Sequence, residues 1–287
     1  MNSIVKIVNN YNVFSGNGVV YKTDDNYMYV VTSSKIVTDS NNYNVIYSNG
    51  IYKNSIVLGI DEYNEIAVFR TEKVDGILQT CLANSNFVDK GEVNYLVGYG
   101  DKDIEFAISA NVSMVGYMYS NNNYKKIYKN VLKTKGNERL KGTGAFDSLG
   151  RLSGIVTGYN KKAINEVYIC DVNRIVKIAD SIVKTGNYEI NYIIYSIVDL
   201  SSLSSELRSS YEVSEKNEFG VVIETFKPIN YLFGGLNQGM VIISVNGIKI
   251  NNCFELDNQL IRYKKGSKVC LEVVKKNGKH VYYYVTI

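Results

Sequence analysis

Residues 138–158, ERLKGTGAFDSLGRLSGIVTG, constrain the fold more than any other stretch of this chain. Gly142 and Gly144 punctuate a loop, Ala145-Phe146 begins a short apolar strand, and Ser148-Leu149-Gly150 turns the chain into a second strand, Leu152 to Val156. Glycine supplies backbone conformations that other residues resist, so a glycine-spaced loop running into a tight apolar hairpin implies antiparallel β structure.

The sequence ahead of the hairpin agrees. Val/Ile/Tyr-rich runs at 4–8, 18–22, 27–32, 44–47, 55–60 and 66–70 have the length and spacing of strands in an antiparallel barrel. Asn49-Gly50 marks a hairpin between two of them. More strands are expected at 92–98, 104–118, 127–133 and 166–170. One helix follows, DVNRIVKIADSIVK at 171–184, with Val172, Ile175, Val176, Ile178, Ala179, Ile182 and Val183 on one face. Thr185-Gly186 stops it.

A polar joint at Asn187-Tyr188-Glu189 separates this half from a different pattern. The expected order is strand 192–198, helix 201–212, strand 219–226, short helix 229–234, strand 240–245 and helix 254–262. Two strands around the Asn277-Gly278 turn complete it. At 287 residues the chain has room for two cores, so domains are placed at 1–188 and 189–287.

Composition narrows the function classes. Apolar content of 45% and charged content of 21% are those of a folded globular protein. The formal charge of +4 is spread along the chain without like-charge blocks, which argues against a nucleic-acid partner. Cys81, Cys170, Cys253 and Cys270 lack C-x-x-C spacing and are expected as buried free thiols, with no metal site and no cofactor. No apolar run approaches the ~18 residues a membrane span needs. The chain starts almost directly on a strand, so it is expected to be cytoplasmic or to have an N-terminal anchor left out of this sequence.

The hairpin resembles the nucleophile hairpin of trypsin-like serine proteases, above all the HtrA (DegP-like) family, in Gly142, Gly144, Phe146, Asp147, Gly150, Leu152, Gly154 and Ile155. Three earlier segments also resemble that family: Ser15 to Val20, Tyr29 to Val37, and Ile60 to Val68. The resemblance implies a mainly β protein, a two-barrel chymotrypsin-like domain followed by an α/β PDZ domain. It also implies where the catalytic triad would stand. The histidine position holds Lys35, the aspartate position Glu65 and the serine position Lys141, and an ion-pair cluster of the three, or a basic pocket for a carboxylate or phosphate, would replace the triad.

The oxyanion loop is altered too, because Arg139 stands where the family keeps glycine, with Leu140 and Gly142 following. A shifted alignment makes Thr143 a fallback nucleophile, with Ser33 and Ser34 as further hydroxyls and Lys35 as base. Glu65 beside Lys35 is expected to hold that ammonium charged, the wrong direction for a base. Independently of any resemblance, a hydroxyl or thiol nucleophile needs a neighbouring base, usually an imidazole. The chain's one histidine is His280, far from the first domain in sequence.

Residues 235–247, GLNQGMVIISVNG, resemble the PDZ signature, and Phe254 to Leu260 resemble the helix that walls a PDZ peptide groove. Ile194, Tyr195, Ser196 and Ile197 take the positions of the carboxylate-binding loop, with Ser196 in place of glycine; Leu256 and Leu260 would line the groove. The expected function is a catalytically inactive HtrA-like pseudoprotease that binds polypeptides or C-terminal tails as scaffold, adaptor or chaperone. The alternative is a divergent active serine-type endopeptidase in protein quality control at the cell envelope. Expected partners are a peptide or unfolded segment, and a homo-oligomer or a hetero-oligomer with active paralogues.

Overall fold

The computed structural model describes residues 2–38, 43–100, 105–119, 127–160, 165–188, 196–214, 217–225, 236–264 and 266–287. They fall into two compact units, Met1–Tyr188 and Glu189–Ile287. In the first, β1 (Ile4–Asn9), β2 (Phe14–Thr23), β3 (Tyr27–Ser33), β4 (Tyr43–Tyr47), β5 (Tyr52–Asp61) and β6 (Ile66–Glu72) close a barrel in the order β1-β2-β3-β6-β5-β4. A second barrel joins β7 (Val93–Tyr99), β8 (Glu105–Tyr119), β9 (Ile127–Lys133), β10 (Gly144–Phe146), β11 (Leu152–Tyr159) and β12 (Glu166–Asp171), in the order β10-β11-β12-β9-β8-β7. Two closed antiparallel barrels of six strands are the chymotrypsin-like architecture.

Side chains alternate across a strand, so a strand buried on both faces reads as an unbroken apolar run. That is why β3, YMYVVTS, shows no polar alternation. Met28 and Val30 join Val5, Ile7, Val20 and Phe69 inside the first barrel. Val31 faces the other way, with Ile4, Val19, Ile66 and Val68, into a core shared with Phe146, Leu152 and Ile155 of the second barrel. The second barrel has its own interior, built from Leu96, Val112, Leu132, Ala145, Val156 and Ile169.

Helix α1 (Val172–Thr185) closes the shared core with Val172, Ile175, Ile178, Ala179 and Ile182. The Asp171 carboxylate caps it by accepting the Arg174 N–H at 3.1 Å, and Gly186, at φ +76°, ends it by donating to the Ile182 carbonyl. The apolar stripe does not reveal that Arg174 is buried as well, 2% exposed. Its guanidinium pairs with Asp171 at 3.3 Å and donates to Asn64 Oδ1 at 3.4 Å. The helix start is thereby tied to the turn between β5 and β6.

The second unit contains β13 (Ser196–Asp199), α2 (Ser205–Ser210), β14 (Val221–Thr225), β15 (Val241–Val245), β16 (Ile248–Lys249), α3 (Cys253–Leu260), β17 (Lys268–Val274) and β18 (His280–Thr286). The sheet order is β13-β14-β15-β17-β18, with β16 paired to β15, a PDZ-like sheet. Helix α2 is shorter than the expected 201–212. Leu200–Ser202 winds as a 3-10 turn, and the Ser204 hydroxyl caps the helix by accepting from Leu207 N–H, which delays the α start. The expected helix at 229–234 lies outside the described residues.

The thiol expectation needs correction. Cys170 and Cys253 are buried, Cys81 is exposed and Cys270 is half-buried. Cys81 precedes Leu82, which bridges to Leu152 at the rim of the fold, so its apolar neighbours do not carry it inside. Among the described residues, no helix is long and apolar enough to cross a membrane.

The Asp171–Arg174 pair gives a measurable asymmetry. Losing an ordinary helix cap costs about 1 kcal/mol. Asp171→Ala also strands a buried guanidinium and is expected to cost on the order of 3–5 kcal/mol in urea denaturation. Asp171→Asn keeps the cap acceptor and should fall between. An alanine variant no worse than an ordinary cap loss would show that Arg174 does not depend on Asp171.

Candidate functional site

Lys35, Glu65 and the loop around Lys141 are each delivered by the end of a strand. Lys35 lies in a 3-10 turn, Ser34–Ile36, that follows β3 and is capped by the Ser33 hydroxyl. The Ser34 N–H donates to the Glu65 carbonyl at 3.0 Å, tying that turn to the one between β5 and β6. In the latter turn Asp61 accepts from the Tyr63 and Asn64 N–H groups and from the Asn64 side chain at 2.6 Å. Glu65 then adopts φ +63°, a left-handed conformation uncommon for a residue with a Cβ, and is buried to 3% exposure.

The Glu65 carboxylate is shared by two ammonium groups. Lys35 Nζ lies 2.7 Å from Oε1 and Lys129 Nζ 3.4 Å from Oε2. Both contacts are ion pairs to a buried carboxylate. Lys129 reaches in from β9 of the second barrel, is fully buried, and donates to the Asn64 carbonyl at 2.6 Å. One charged cluster therefore bridges the two barrels.

Lys141 does not pair with Glu65. Its ammonium contacts Glu138, one turn back in the same loop. The expected three-residue cluster is thus completed by Lys129 in place of Lys141. Lys129 shares strand parity with the buried Val131, but its carboxylate partner sits 64 positions earlier and no local pattern announces it.

Burial pushes the Lys35 ammonium below the usual lysine range, and the positive charges of Lys129 and Lys141 push the same way; Glu65 opposes them without prevailing. This reverses the expected direction for Lys35, because desolvation outweighs its partner. Burial alone would raise the Glu65 pKa, but Lys129 and Lys35 together hold it below the usual glutamate range.

The loop from 138 to 143 is closed on itself. Glu138–Leu140 forms a 3-10 turn in which Arg139 N–H donates to Asn137 Oδ1 at 2.9 Å and Leu140 N–H to the Asn137 carbonyl at 3.2 Å. Lys141 N–H points to the Glu138 carbonyl at 3.4 Å, Gly142 N–H to Val156 and Thr143 N–H to Leu140. Every backbone N–H from Arg139 to Thr143 is already engaged inside the protein. Gly142, at φ +77°, packs so tightly that an added Cβ would lie 1.9 Å from the Asn17 carbonyl.

Asn17 is a second residue that the sequence patterns did not single out. It is fully buried, accepts from Tyr99 N–H at 2.6 Å, and places its side-chain nitrogen 3.1 Å from both the Arg139 carbonyl and Thr143 Oγ1. A polar residue between two glycines inside an apolar strand was its only signal. Thr143 and Ser33 are both fully buried. In the second unit, Ile194 and Tyr195 lie outside the described residues. Ile197 pairs with Ile223 in the sheet, next to the Ser196–Thr225 pair. Leu256 and Leu260 are buried.

The shared carboxylate predicts an uneven outcome. Glu65→Gln leaves the Lys129 ammonium buried without a countercharge and is expected to cost about 3–5 kcal/mol, largely recovered when Lys129→Met is added. A depressed carboxyl pKa stabilises the fold above the unfolded glutamate range and is lost as pH falls through the lower folded value. Stability of Glu65→Gln should therefore fall less steeply on acidification than that of the parent. Equal acid limbs in urea titrations, or additive single costs, would contradict the ion-pair assignment.

No family model matches the chain. Over 277 residues it is 22% identical to a "Serine protease HtrA-like" of Staphylococcus aureus (strain USA300), covering 92% of this chain and 36% of that protein. It is 24% identical over 280 residues to the "Serine protease Do-like HtrA" of Lactobacillus helveticus, covering 93% of this chain and 66% of that protein. The chain thus spans about a third of the first relative and about two thirds of the second. Among solved structures, HtrA-type protease AlgW with decapeptide aligns at TM-score 0.72 and 16% identity, covering 99% of this chain and 94% of that one. A serine endoprotease from Yersinia pestis aligns at TM-score 0.61 and 17% identity, covering 99% and 93%. Along nearly its whole length the chain is thus similar in sequence to proteins named HtrA-like serine proteases, and it shares the fold of HtrA-type protease structures.

Proposed function

We propose that this chain is a non-cleaving member of the HtrA group that recognises polypeptide. The observation that carries this reading is the 2.7 Å Lys35–Glu65 ion pair, at the positions matched by resemblance to the catalytic histidine and aspartate. Acyl transfer by a hydroxyl needs a base that can take its proton and an acid that orients that base. Residues 1–188 contain no histidine, and the only one, His280, hydrogen-bonds Glu272 within the other unit.

The remaining machinery points the same way. Lys141 offers no hydroxyl at the serine position. Thr143, the fallback, is buried with its oxygen held by the Asn17 amide. An oxyanion hole needs N–H groups aimed at developing charge, and those of residues 139–143 are spent on acceptors within the protein. Lowering of the Lys35 pKa brings it nearer to a usable base, but Ser33 and Thr143 are fully buried, which leaves the half-buried Ser34 as the one candidate hydroxyl with exposure.

Polypeptide recognition is assigned to the PDZ-like unit. Among the described residues strand β13 is a sheet edge, and α3 is fastened beside it, with Cys253 N–H donating to Asp199 Oδ1 at 2.6 Å. An extended segment added to such an edge gains main-chain hydrogen bonds. AlgW has been solved with a decapeptide and with a tripeptide, which supports peptide as the ligand class here. The second reading, a divergent active endopeptidase, rests on the naming of the relatives as serine proteases.

Two measurements separate the readings. The purified chain is expected to leave casein intact while binding some members of a C-terminal peptide library by fluorescence anisotropy. Casein turnover that disappears in Thr143→Val would reinstate the endopeptidase. Absence of binding across the library would remove the recognition role.

A further inference from the structure

The last strand of the second unit leaves its outer edge open. Among the described residues β18 pairs with β17 alone, in unbroken register from Val274↔His280 to Lys268↔Thr286. Ile287 N–H donates to the Ser267 carbonyl and Lys275 N–H to the Lys279 carbonyl, both at 3.0 Å, at the two ends of that hairpin. Main-chain groups alternate sides along an antiparallel strand. The N–H and C=O groups of Val281, Tyr283 and Val285 therefore face β17. Those of His280, Tyr282, Tyr284 and Thr286 point away from it.

Outer strands are usually blunted against further pairing by charged side chains, proline or a bulge. Residues 281–287, VYYYVTI, contain no charge, proline or glycine, and β18 has no bulge against β17. Tyr282 and Tyr284 stand on one face of the strand at 61% and 77% exposure, across from Glu272 and Cys270 of β17. Unpaired main-chain donors and acceptors thus lie next to two exposed aromatic rings.

The strand that fits this edge is its own copy. An antiparallel copy centred on Tyr283 sets Tyr282 opposite the copy's Tyr284 and His280 opposite its Thr286, and both pairs recur across the two-fold axis. Each of these positions directs its N–H and C=O outward, so every pair can exchange main-chain hydrogen bonds. The tyrosines then form cross-strand aromatic pairs. Centring on Tyr282 or Tyr284 instead shortens the overlap and moves His280 or Thr286 beyond the paired strand. Charge agrees with the same register: Lys279 and His280 would face Ile287 and Thr286 of the copy, so no like charges oppose each other.

We infer that β18 is a self-association edge, through which two copies of this chain pair as a two-fold antiparallel dimer with one continuous sheet. The pairing uses the same edge of both copies and therefore closes at the dimer. It goes beyond the proposed polypeptide recognition, because β13 stands at the other end of the sheet order and is left open.

Sedimentation velocity of the full chain over a wide concentration range is expected to show a reversible monomer–dimer equilibrium. Tyr284→Pro removes an outward N–H and spares the ladder to β17. Its dissociation constant should rise by at least roughly tenfold, since two symmetry-related main-chain bonds are lost. The double variant Tyr282→Lys/Tyr284→Lys sets ammonium groups against each other at exposed positions, and should be monomeric with a melting temperature near that of the parent monomer. Tyr11→Lys, at an exposed aromatic residue of the first unit, should leave the dimer unchanged. A parent that stays monomeric, or that grows past the dimer, would overturn the proposal. A dimer that persists in both β18 variants, or that is lost in Tyr11→Lys, would overturn it too. Absence of peptide binding would remove the recognition role and leave the sedimentation result to stand on its own.

Discussion

A single buried carboxylate organises the first unit. Glu65 sits in a left-handed turn and is shared between Lys35 of one barrel and Lys129 of the other. A buried ion pair is weak evidence for stability, since desolvation offsets much of the attraction, but removing one partner leaves an uncompensated charge and is costly. The cluster therefore acts as a constraint on how the barrels meet. Asn64, next in sequence, accepts from both Lys129 and Arg174, so the same turn also holds the start of α1.

Opposite Glu65, the loop from Arg139 to Thr143 is held by Asn17 and by its own 3-10 turn. An active hydrolase of this architecture keeps such a loop open, with donors directed at solvent until a carbonyl arrives. Here the donors are consumed locally, and closure requires Gly142 against the Asn17 backbone. Charged side chains stand on one rim of the cleft and engaged backbone donors on the other, the two features on which the non-cleaving proposal rests. Fold and chemistry are separable, which is the ground on which the non-cleaving reading is proposed.

Much of the architecture was legible in the residues. Branched and aromatic runs located the strands of both barrels to within a few residues, because sheet pairing selects those side chains along whole segments. The stripe Val172, Ile175, Ile178, Ala179 and Ile182 located α1 because the helical period puts those side chains on one buried face. Polar interior groups were not legible. Nothing in the residue pattern marks Lys129 or Arg174 as buried, since each depends on contacts to the turn at Asn64-Glu65, far away in sequence. Asn17 hid within an apolar strand, and its acceptors lie on Tyr99 and on a loop more than 120 positions away. The direction of the Lys35 shift was misjudged because sequence supplies the partner but not the depth of burial.

The central claim is that no hydroxyl in the cleft is activated for attack. Its most direct test is intact-mass measurement of the purified chain after prolonged exposure to a fluorophosphonate, which captures activated serine and threonine oxygens regardless of substrate preference. An unchanged mass, with trypsin labelled to completion in the same tube, is the predicted result. A stoichiometric adduct mapped to Ser33, Ser34 or Thr143 would contradict the account.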